Sequence, residues 1–585
     1  IDASVCVHSM LSSRFSAPAI FTFSSVRALI QSCRHHSWVL FFSLLYLIPG
    51  LTGHDPWKQD ETYVFGIIHH MVDSGDWVVP AMAGEPFMEK PPLYYWIATI
   101  LVHTFDGFLP AHDAARLTSG ILMGITGFCV AFCARLWWGK GHAASALLAL
   151  FGCLGLIFHA HLMVTDVPLL TGFALSVTGF AMWNKAPDLK SAVVLGTGIG
   201  VSMMAKGVLG PGVFFVVAML LPLLFPVWRR RSYVQFLLTA FMVALPWLLI
   251  WPVALWQTSQ PLFMEWFWEN NVGRFFGFSV ARLGAPHTEN FWITTLPWFT
   301  FPALPLALLT LWHWRTRIMS SPAIQVCSLV FLVMLAVLGT AASARDNYAL
   351  PLLFPVAVLA APAVRYIGER GLSVVIGVMF GAICSLLLYV WWQMVYNAAP
   401  AWQWLLRILP ADFSMPVSYT QLLVVAACFV LTAVCLWQVR HQRGNPLRIW
   451  TAGLSLCWLV LCTLWLPWLD HAKSYRSVFS DMQAVMPGDF HCMASQNLGE
   501  SERAMLRYFS GIITHRQETE PYRECDLLIV NGLTNNAPES LLSDRDWELV
   551  WDGARPGDAR ERLWLFRNHH LSSRLAAGDR PQHLR

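Results

Sequence analysis

Apolar runs of about 17 to 25 residues recur along this chain almost to residue 470, the length a helix needs to cross about 30 Å of hydrocarbon. Lipid offers no hydrogen-bond partner to a bare backbone, so such runs must fold as helices that satisfy their own amides. Fourteen are legible, at 36–53, 92–108, 114–137, 142–160, 165–183, 190–208, 211–226, 234–256, 291–313, 323–342, 347–364, 371–395, 418–438 and 448–468. Only 13% of the residues are charged, against roughly 25% in an ordinary soluble domain. The expected class is an all-α polytopic membrane protein. The 29 Trp suit belts at the two membrane surfaces. A net charge of +4 singles out no partner, and nothing reads as a nucleic-acid surface.

Basic residues assign the sides. Arg135 and Lys140, Lys185 and Lys190, Arg229 to Arg231, Arg315 and Arg317, Arg365 and Arg370, and Arg440, Arg443 and Arg448 all fall in the cytoplasm if 470–585 lies outside. The loop around Asp60 should also lie outside, after the first crossing. Both hold only if one of the fourteen runs does not cross. The best candidate is 92–108, which follows two prolines and contains His103 and Asp106. Thirteen crossings result, with the N-terminus inside and the C-terminus outside. Residues 1–35 open on Ile1 and carry Arg14, Arg27 and Arg34 with no acid after Asp2. They read as a cytoplasmic tail or an over-extended start. No small-residue cleavage site follows the run at 36–53, which argues against a signal peptide.

Three regions are therefore expected: the tail 1–35, a membrane domain 36–469 and an outer α/β domain 470–585. In the last, Cys525 to Gly532 and Leu563 to Phe566 read as strands, and Ser501 to Phe509 as a helix. Most of the 13 Cys sit in apolar runs without metal-ligand spacing and read as small hydrophobes. Cys492 and Cys525 are polar-region cysteines that can pair if that region is extracytoplasmic.

This topology gathers ionisable residues from distant positions on the outer face. Asp60 and Glu61 follow the first crossing. Glu89 and Lys90 precede Pro91-Pro92, and Asp166 opens a crossing that Lys206 closes from the other side. Ionisable groups at a membrane are costly and mark function by default. The plainer readings are an N-cap for Asp166 and a snorkelling cation for Lys206. The long loop 257–290 adds Arg274 and His287, and Tyr348 opens a later helix. His159 and His161 read as packing residues. Acids can deprotonate an acceptor or hold a cation, and cations with hydroxyl donors can stabilise a phosphate leaving group. Group transfer from a phospholipid donor suits that set.

Asp60-Glu61-Thr62, then Ser74 to Pro80, then Phe87-Met88-Glu89-Lys90-Pro91-Pro92-Leu93-Tyr94-Tyr95-Trp96 closely resemble the aminoarabinose (lipid A) transferase branch of the protein-mannosyltransferase-like glycosyltransferases. Thr165 to Leu169, Ala205-Lys206-Gly207, Arg274-Phe275, the His287 segment and Asn347-Tyr348-Ala349-Leu350-Pro351 continue the resemblance in order. It implies a GT-C fold with thirteen membrane helices and an outer C-terminal domain, multi-pass in a bacterial inner membrane. The implied donor is a polyprenyl-phosphate sugar. The sugar would move with inversion to an outer-leaflet acceptor such as lipid A. Asp60 and Asp166 would be the catalytic acids, with Glu61 beside them. Lys90, Arg274, Tyr348, Lys206 and His287 would bind the donor phosphate. Glu89 and His287 are the places for a divalent cation (Mg, Mn or Zn) if one assists. Where the family has Arg-Tyr and a further Glu after the first motif, this chain has Tyr63, Val64 and Gly66, which leaves the sugar unassigned. A protein acceptor would fit the same donor chemistry. A transporter would instead place ionisable residues mid-helix and show repeats.

Overall fold

The computed structural model describes residues 37–571 except 280–289, 343, 368–369, 397–412, 415–416, 440–444, 522–523, 535–537, 539–540, 542–545, 559 and 569–570. The expected tail 1–35 and His287 thus lie outside the described residues. Helices stand over every apolar run read from the sequence.

Seven described helices are long and apolar enough to cross a bilayer alone: Ala111–Trp138, Asp166–Lys185, Arg231–Thr258, Pro322–Thr340, Arg370–Val395, Tyr419–Gln438 and Pro446–Lys473. An eighth crossing results if Phe291–Phe299 and Ala303–His313 act together. Thirteen crossings are therefore not reached on length and hydropathy. The shortfall has local causes. Ser37–Leu47 has 11 residues and is about 17 Å long. The run 142–160 breaks into Ala143–Phe151 and Leu154–His159. The run 291–313, expected as one crossing, bends by 89° in front of Ala303. Pro302 has no N–H to continue the ladder and restricts the residue before it.

Four consecutive pieces of the chain frame one side of the site. Helix α1 (Asp60–Ser74) begins with two acids, which suit the positive end of a helix dipole, and stops at Gly75 in the left-handed conformation. A two-residue hairpin of β1 (Ala81–Met82) and β2 (Glu85–Pro86) follows and delivers Glu89 and Lys90. Helix α2 (Leu93–Thr104) then starts behind Pro92; at 12 residues, about 18 Å, it is too short to span alone. Helix α3 (Ala111–Trp138) brings His112, Asp113 and Arg116 back under α1.

Helices α4 (Asp166–Lys185) and α5 (Leu189–Lys206) form an antiparallel hairpin. They pack backbone to backbone: a Cβ on Gly172 would lie 2.4 Å from Ser202 Oγ, and one on Gly198 would lie 2.5 Å from Ser176 N. Small residues permit this approach, and it sets the first residue of α4, Asp166, beside the last of α5, Lys206.

The C-terminal part is a five-stranded sheet in the order β4-β3-β5-β7-β6. Its members are β3 (Met493–Gln496), β4 (Thr514–Arg516), β5 (Leu527–Leu533), β6 (Trp547–Gly553) and β7 (Glu561–Asn568). Helix α6 (Glu500–Ser510) connects β3 to the parallel β4. The β7 strand is antiparallel to both neighbours. Leu527, Ile529, Leu563 and Leu565 bury one face against the core beneath. Cys492 and Cys525, 33 residues apart, are joined by a disulfide at the start of β3 and β5. Reduction, or Cys492→Ala, is expected to destabilise this sheet by about 2–4 kcal/mol. Thermal unfolding followed with and without reductant checks it.

Candidate active site

Asp60 is the first residue of α1, and its carboxylate meets residues almost three hundred positions away. Arg345 Nη1 donates to Asp60 Oδ1 at 3.1 Å. Asn347 Nδ2 donates to Asp166 Oδ2 at 3.0 Å and reaches Asp60 Oδ2 at 3.5 Å. One amide therefore bridges the two acids. Lys206 pairs with the other oxygen of Asp166, and its ammonium also lies 3.6 Å from the centroid of the Tyr348 ring. The short turn Asp346–Ala349 thus presents Asn347 to the carboxylates and Tyr348 to the lysine.

A second ion cluster adjoins the first. Glu89 is held between Lys90, at 2.9 Å, and Arg274. Burial opposes its charge, but the two cations win and hold the carboxyl far below the usual range. Asp60 and Lys206 both lie within the electrostatic reach of Glu89. In the two clusters three carboxylates, Asp60, Asp166 and Glu89, face four cations, Lys90, Lys206, Arg274 and Arg345. Glu500 adds a fourth, largely buried carboxylate within electrostatic reach of Glu89, Arg274 and Arg345, so the charges of the region balance.

A cavity of about 580 Å³ opens beside Asp60. Trp57, Phe158, Phe291 and Trp298 give it aromatic walls, and Arg345 and Lys473 give it cations. Lys473 Nζ sits 4.6 Å over the Trp57 ring and makes no ion pair with a described carboxylate.

Burial raises the pKa of Asp60 above its ordinary 3.8; Arg345 pulls it down, and Asp166 and Glu89 push it up again. Between 3.8 and the raised value, the folded chain keeps a proton that the unfolded chain has released. Stability therefore falls as pH rises through that window. Activity that needs the carboxylate rises through the same window. The acid limb of kcat is expected above 3.8, and Arg345→Met is expected to move it higher. A pH–rate profile of both proteins checks the sign.

Asp60, Asp166, Lys206, Tyr348, Glu89, Lys90 and Arg274 are thus all brought together. Glu61 also lines the cavity wall, but it is only 1% exposed and is held from within the protein. Arg116 Nε donates to its Oε1 at 2.9 Å, as does Met163 N at 3.1 Å, while Trp57 N reaches Oε2 at 3.2 Å. Arg116 also bonds Asp113 at 2.9 Å. Burial alone would raise the pKa of Glu61, but Arg116 and His54 take it below the ordinary value. Glu61, expected beside Asp60 as a catalytic acid, is thus paired with Arg116 at the wall of the cavity.

The described residues hold no group of three or more His, Cys, Asp or Glu that could bind a metal ion. Glu89, one of the two expected ligands, is paired with two cations, and the other, His287, lies outside the described residues. His161 bonds the carbonyls of Ile157 and Tyr46, a packing role. His159 lines the cavity and lies 3.8 Å from Asp346. Arg345, Asn347 and Arg116 were not among the expected site residues. Arg116 had a signal, an arginine inside an apolar run.

No family model matches the chain. It is 29% identical over 376 residues to an undecaprenyl phosphate-alpha-4-amino-4-deoxy-L-arabinose arabinosyl transferase of Serratia proteamaculans, covering 60% of this chain and 65% of that protein. A protein of the same name from Pseudomonas fluorescens Pf-5 is 26% identical over 437 residues, 72% of this chain and 70% of its own. A Pf0-1 relative matches over 58% of its length. The chain thus spans somewhat under two thirds of the first relatives it matches. ArnT from Cupriavidus metallidurans, solved bound to undecaprenyl phosphate, superposes with a TM-score of 0.66 at 16% identity, over 90% of this chain and 98% of that one. Its apo form gives 0.63.

The chain has the fold of that ArnT structure, a GT-C fold. Within that GT-C frame, the two ion clusters and the cavity lie where α1, the hairpin, the α4–α5 pair and the turn before Leu350 converge.

Proposed function

We propose that this protein is a membrane glycosyltransferase that moves a sugar from a polyprenyl-phosphate donor to an outer-leaflet acceptor such as lipid A. The observation that carries this is the pair Asp60 and Asp166, bridged by Asn347 beside a partly aromatic cavity and flanked by the cations Lys90, Lys206, Arg274 and Arg345. Relatives named for undecaprenyl phosphate-aminoarabinose support the donor class.

In the reaction, an acceptor oxygen attacks the anomeric carbon from the face opposite the phosphate. The bond from that carbon to the phosphate oxygen breaks, and its electron pair leaves with the polyprenyl phosphate. Asp60 takes the acceptor proton where the acceptor is a hydroxyl. Lys90 and Arg274, with Tyr348 and Lys206, stabilise the charge gathering on the phosphate. Asp166 orders Lys206 and Asn347. Glu61 holds α1 and the 163–166 segment in place through Arg116 and Met163. Lys473 and the Trp57 ring form the acceptor side of the cavity. No step is routed through a divalent cation.

The catalytic groups lie on the extracytoplasmic face in this reading, with the N-terminus inside. The sheet disulfide supports that side, because such bonds persist in oxidising compartments. The division at about residue 470 into membrane and outer domains belongs to the same proposal.

Mass spectrometry of lipid A and other envelope glycans tests it. Wild type, a deletion, and the deletion complemented with Asp60→Ala or Asp166→Ala are compared. A sugar mass lost on deletion and not restored by either variant is expected. Unchanged lipid A with an altered glycoprotein would move the acceptor to protein. Full restoration by both variants would end the catalytic assignment.

A further inference from the structure

The site draws its two halves from one short stretch of chain. Asp60 lies at the start of α1, and Glu89 and Lys90 follow the β1–β2 hairpin. Helix α6, more than four hundred residues later in sequence, touches both. It runs alongside α1 in the same direction. Lys58, two residues before Asp60, places Nζ 2.9 Å from Glu502 Oε1 and 2.6 Å from Glu561 Oε2. Tyr475 Oη donates to the same Glu502 oxygen at 2.6 Å. Thr62 Oγ1 bonds Ser501 Oγ at 2.7 Å, and Ser501 Oγ reaches the carbonyl of Gln59 at 3.4 Å.

One turn on, Gly66 meets Ala504. A Cβ on Gly66 would stand 2.6 Å from the Ala504 Cβ and 3.0 Å from Met82 Cγ, so only glycine permits the contact. At the far end of α1, Arg507 bonds Asp73 at 3.0 Å and His70 at 2.6 Å. Arg503 pairs with Glu85 of β2 at 2.9 Å, and Arg516 of β4 reaches the same carboxylate at 3.4 Å.

We propose that the C-terminal domain is a splint for the active site. Through Lys58, Ser501 and Gly66 it fixes the catalytic end of α1, and through Arg503 and Arg516 it fixes the hairpin that leads to Glu89 and Lys90. Lys58, Ser501 and Arg503 are positioning residues; Lys58 also lines the cavity, but its ammonium is engaged by Glu502 and Glu561. The role rests on the transferase reading above. Burial strengthens the case for a designed contact: Glu502 and Arg503 are almost wholly covered, and charged groups are seldom buried unless paired.

The splint makes two separable demands. Disturbing Lys58 should misplace Asp60 and lower kcat, leaving the donor KM near its original value because Lys90 and Arg274 are anchored elsewhere. Disturbing Arg503 should act on the donor site and raise KM. A misplacement of about 1 Å is enough to cost roughly 10²-fold in rate.

The test uses the full chain in phospholipid vesicles. Lys58→Glu sets a third acid against Glu502 and Glu561, and the double variant Lys58→Glu with Glu561→Lys restores an opposite charge. Expected is a kcat loss of roughly tenfold or more in the single variant, with an unchanged donor KM, and recovery to within about threefold in the double. Arg503→Met is expected to raise the donor KM instead. Amide exchange over residues 58–66 reads the splint without turnover: faster in Lys58→Glu, restored in the double. Because exchange is independent of chemistry, a wild type that transfers nothing would fail the transferase reading while the splint is still judged on exchange. Unchanged kcat and exchange in a folded Lys58→Glu protein would overturn the splint, as would a double variant no better than the single. Ser501→Ala, which removes one hydroxyl and adds no charge, repeats the measurement where Lys58→Glu fails to fold; no loss of kcat there would also overturn it.

Discussion

Asp60→Asn is expected to lower kcat by about 10²–10⁴-fold, the range spanned by general acid–base groups, with little change in donor binding. The substitution keeps the size of the side chain and one acceptor oxygen, which can still accept from Arg345 or from Asn347. It removes the charge and the ability to take a proton. A loss confined to kcat means an interaction made only in the transition state; a loss confined to KM would mean that Asp60 merely binds substrate. Steady-state kinetics with a polyprenyl-phosphate sugar in vesicles decides between them. Asp166→Asn should behave differently. Asp166 is anchored to Lys206, so its removal frees a buried cation and should disturb donor affinity as well as rate.

The contrast between these two acids shows how far the sequence alone could be read. Membrane helices are a one-dimensional signal, since apolar length is enough to specify them, and every apolar run became helix. What length could not foresee was where helices break. The run 291–313 kept its hydropathy through Thr300 and Phe301 and still turned by 89° beside Pro302. Ionisable residues at the ends of runs were equally legible, because lipid makes them expensive. Asp60, Glu89, Lys90, Asp166 and Lys206 were found that way, and the structure joins them.

Pairing was not legible. Asn347 is a neutral amide with no cost signal of its own, and its bridge between Asp60 and Asp166 exists only in three dimensions. The β-sheet order, with β4 outside β3 and β7 between β5 and β6, likewise depends on long-range pairing that short strands of three to eight residues do not announce. Glu61 illustrates the same limit from the other side. Adjacent acids look alike in sequence, yet a helix turns successive side chains about 100° apart. Asp60 is therefore 22% exposed at the cavity, while Glu61, at its wall, is 1% exposed and paired with Arg116.

That difference sets the second large expectation. Arg116→Met is expected to destabilise the protein by about 3–5 kcal/mol, the cost of leaving buried partners without their counter-ion. Arg116 is 0% exposed and Glu61 1% exposed, so water cannot replace the lost bonds. Asp113 would lose its 2.9 Å contact as well. Thermal or denaturant unfolding in detergent measures the loss. Glu61→Gln is the companion. Its amide oxygen can still accept from Met163 or Trp57, and Arg116 keeps Asp113. If Glu61 belongs to the frame, Glu61→Gln lowers stability by a smaller amount and leaves kcat within about tenfold, well short of the 10²–10⁴-fold lost by an acid–base group. If instead kcat falls as far as in Asp60→Asn while stability holds, Glu61 acts in the chemistry and its pair with Arg116 must open during turnover. The two acids differ by one residue in sequence, and the ratio of their kinetic to their stability effects separates a proton acceptor from the ion pair that holds its helix.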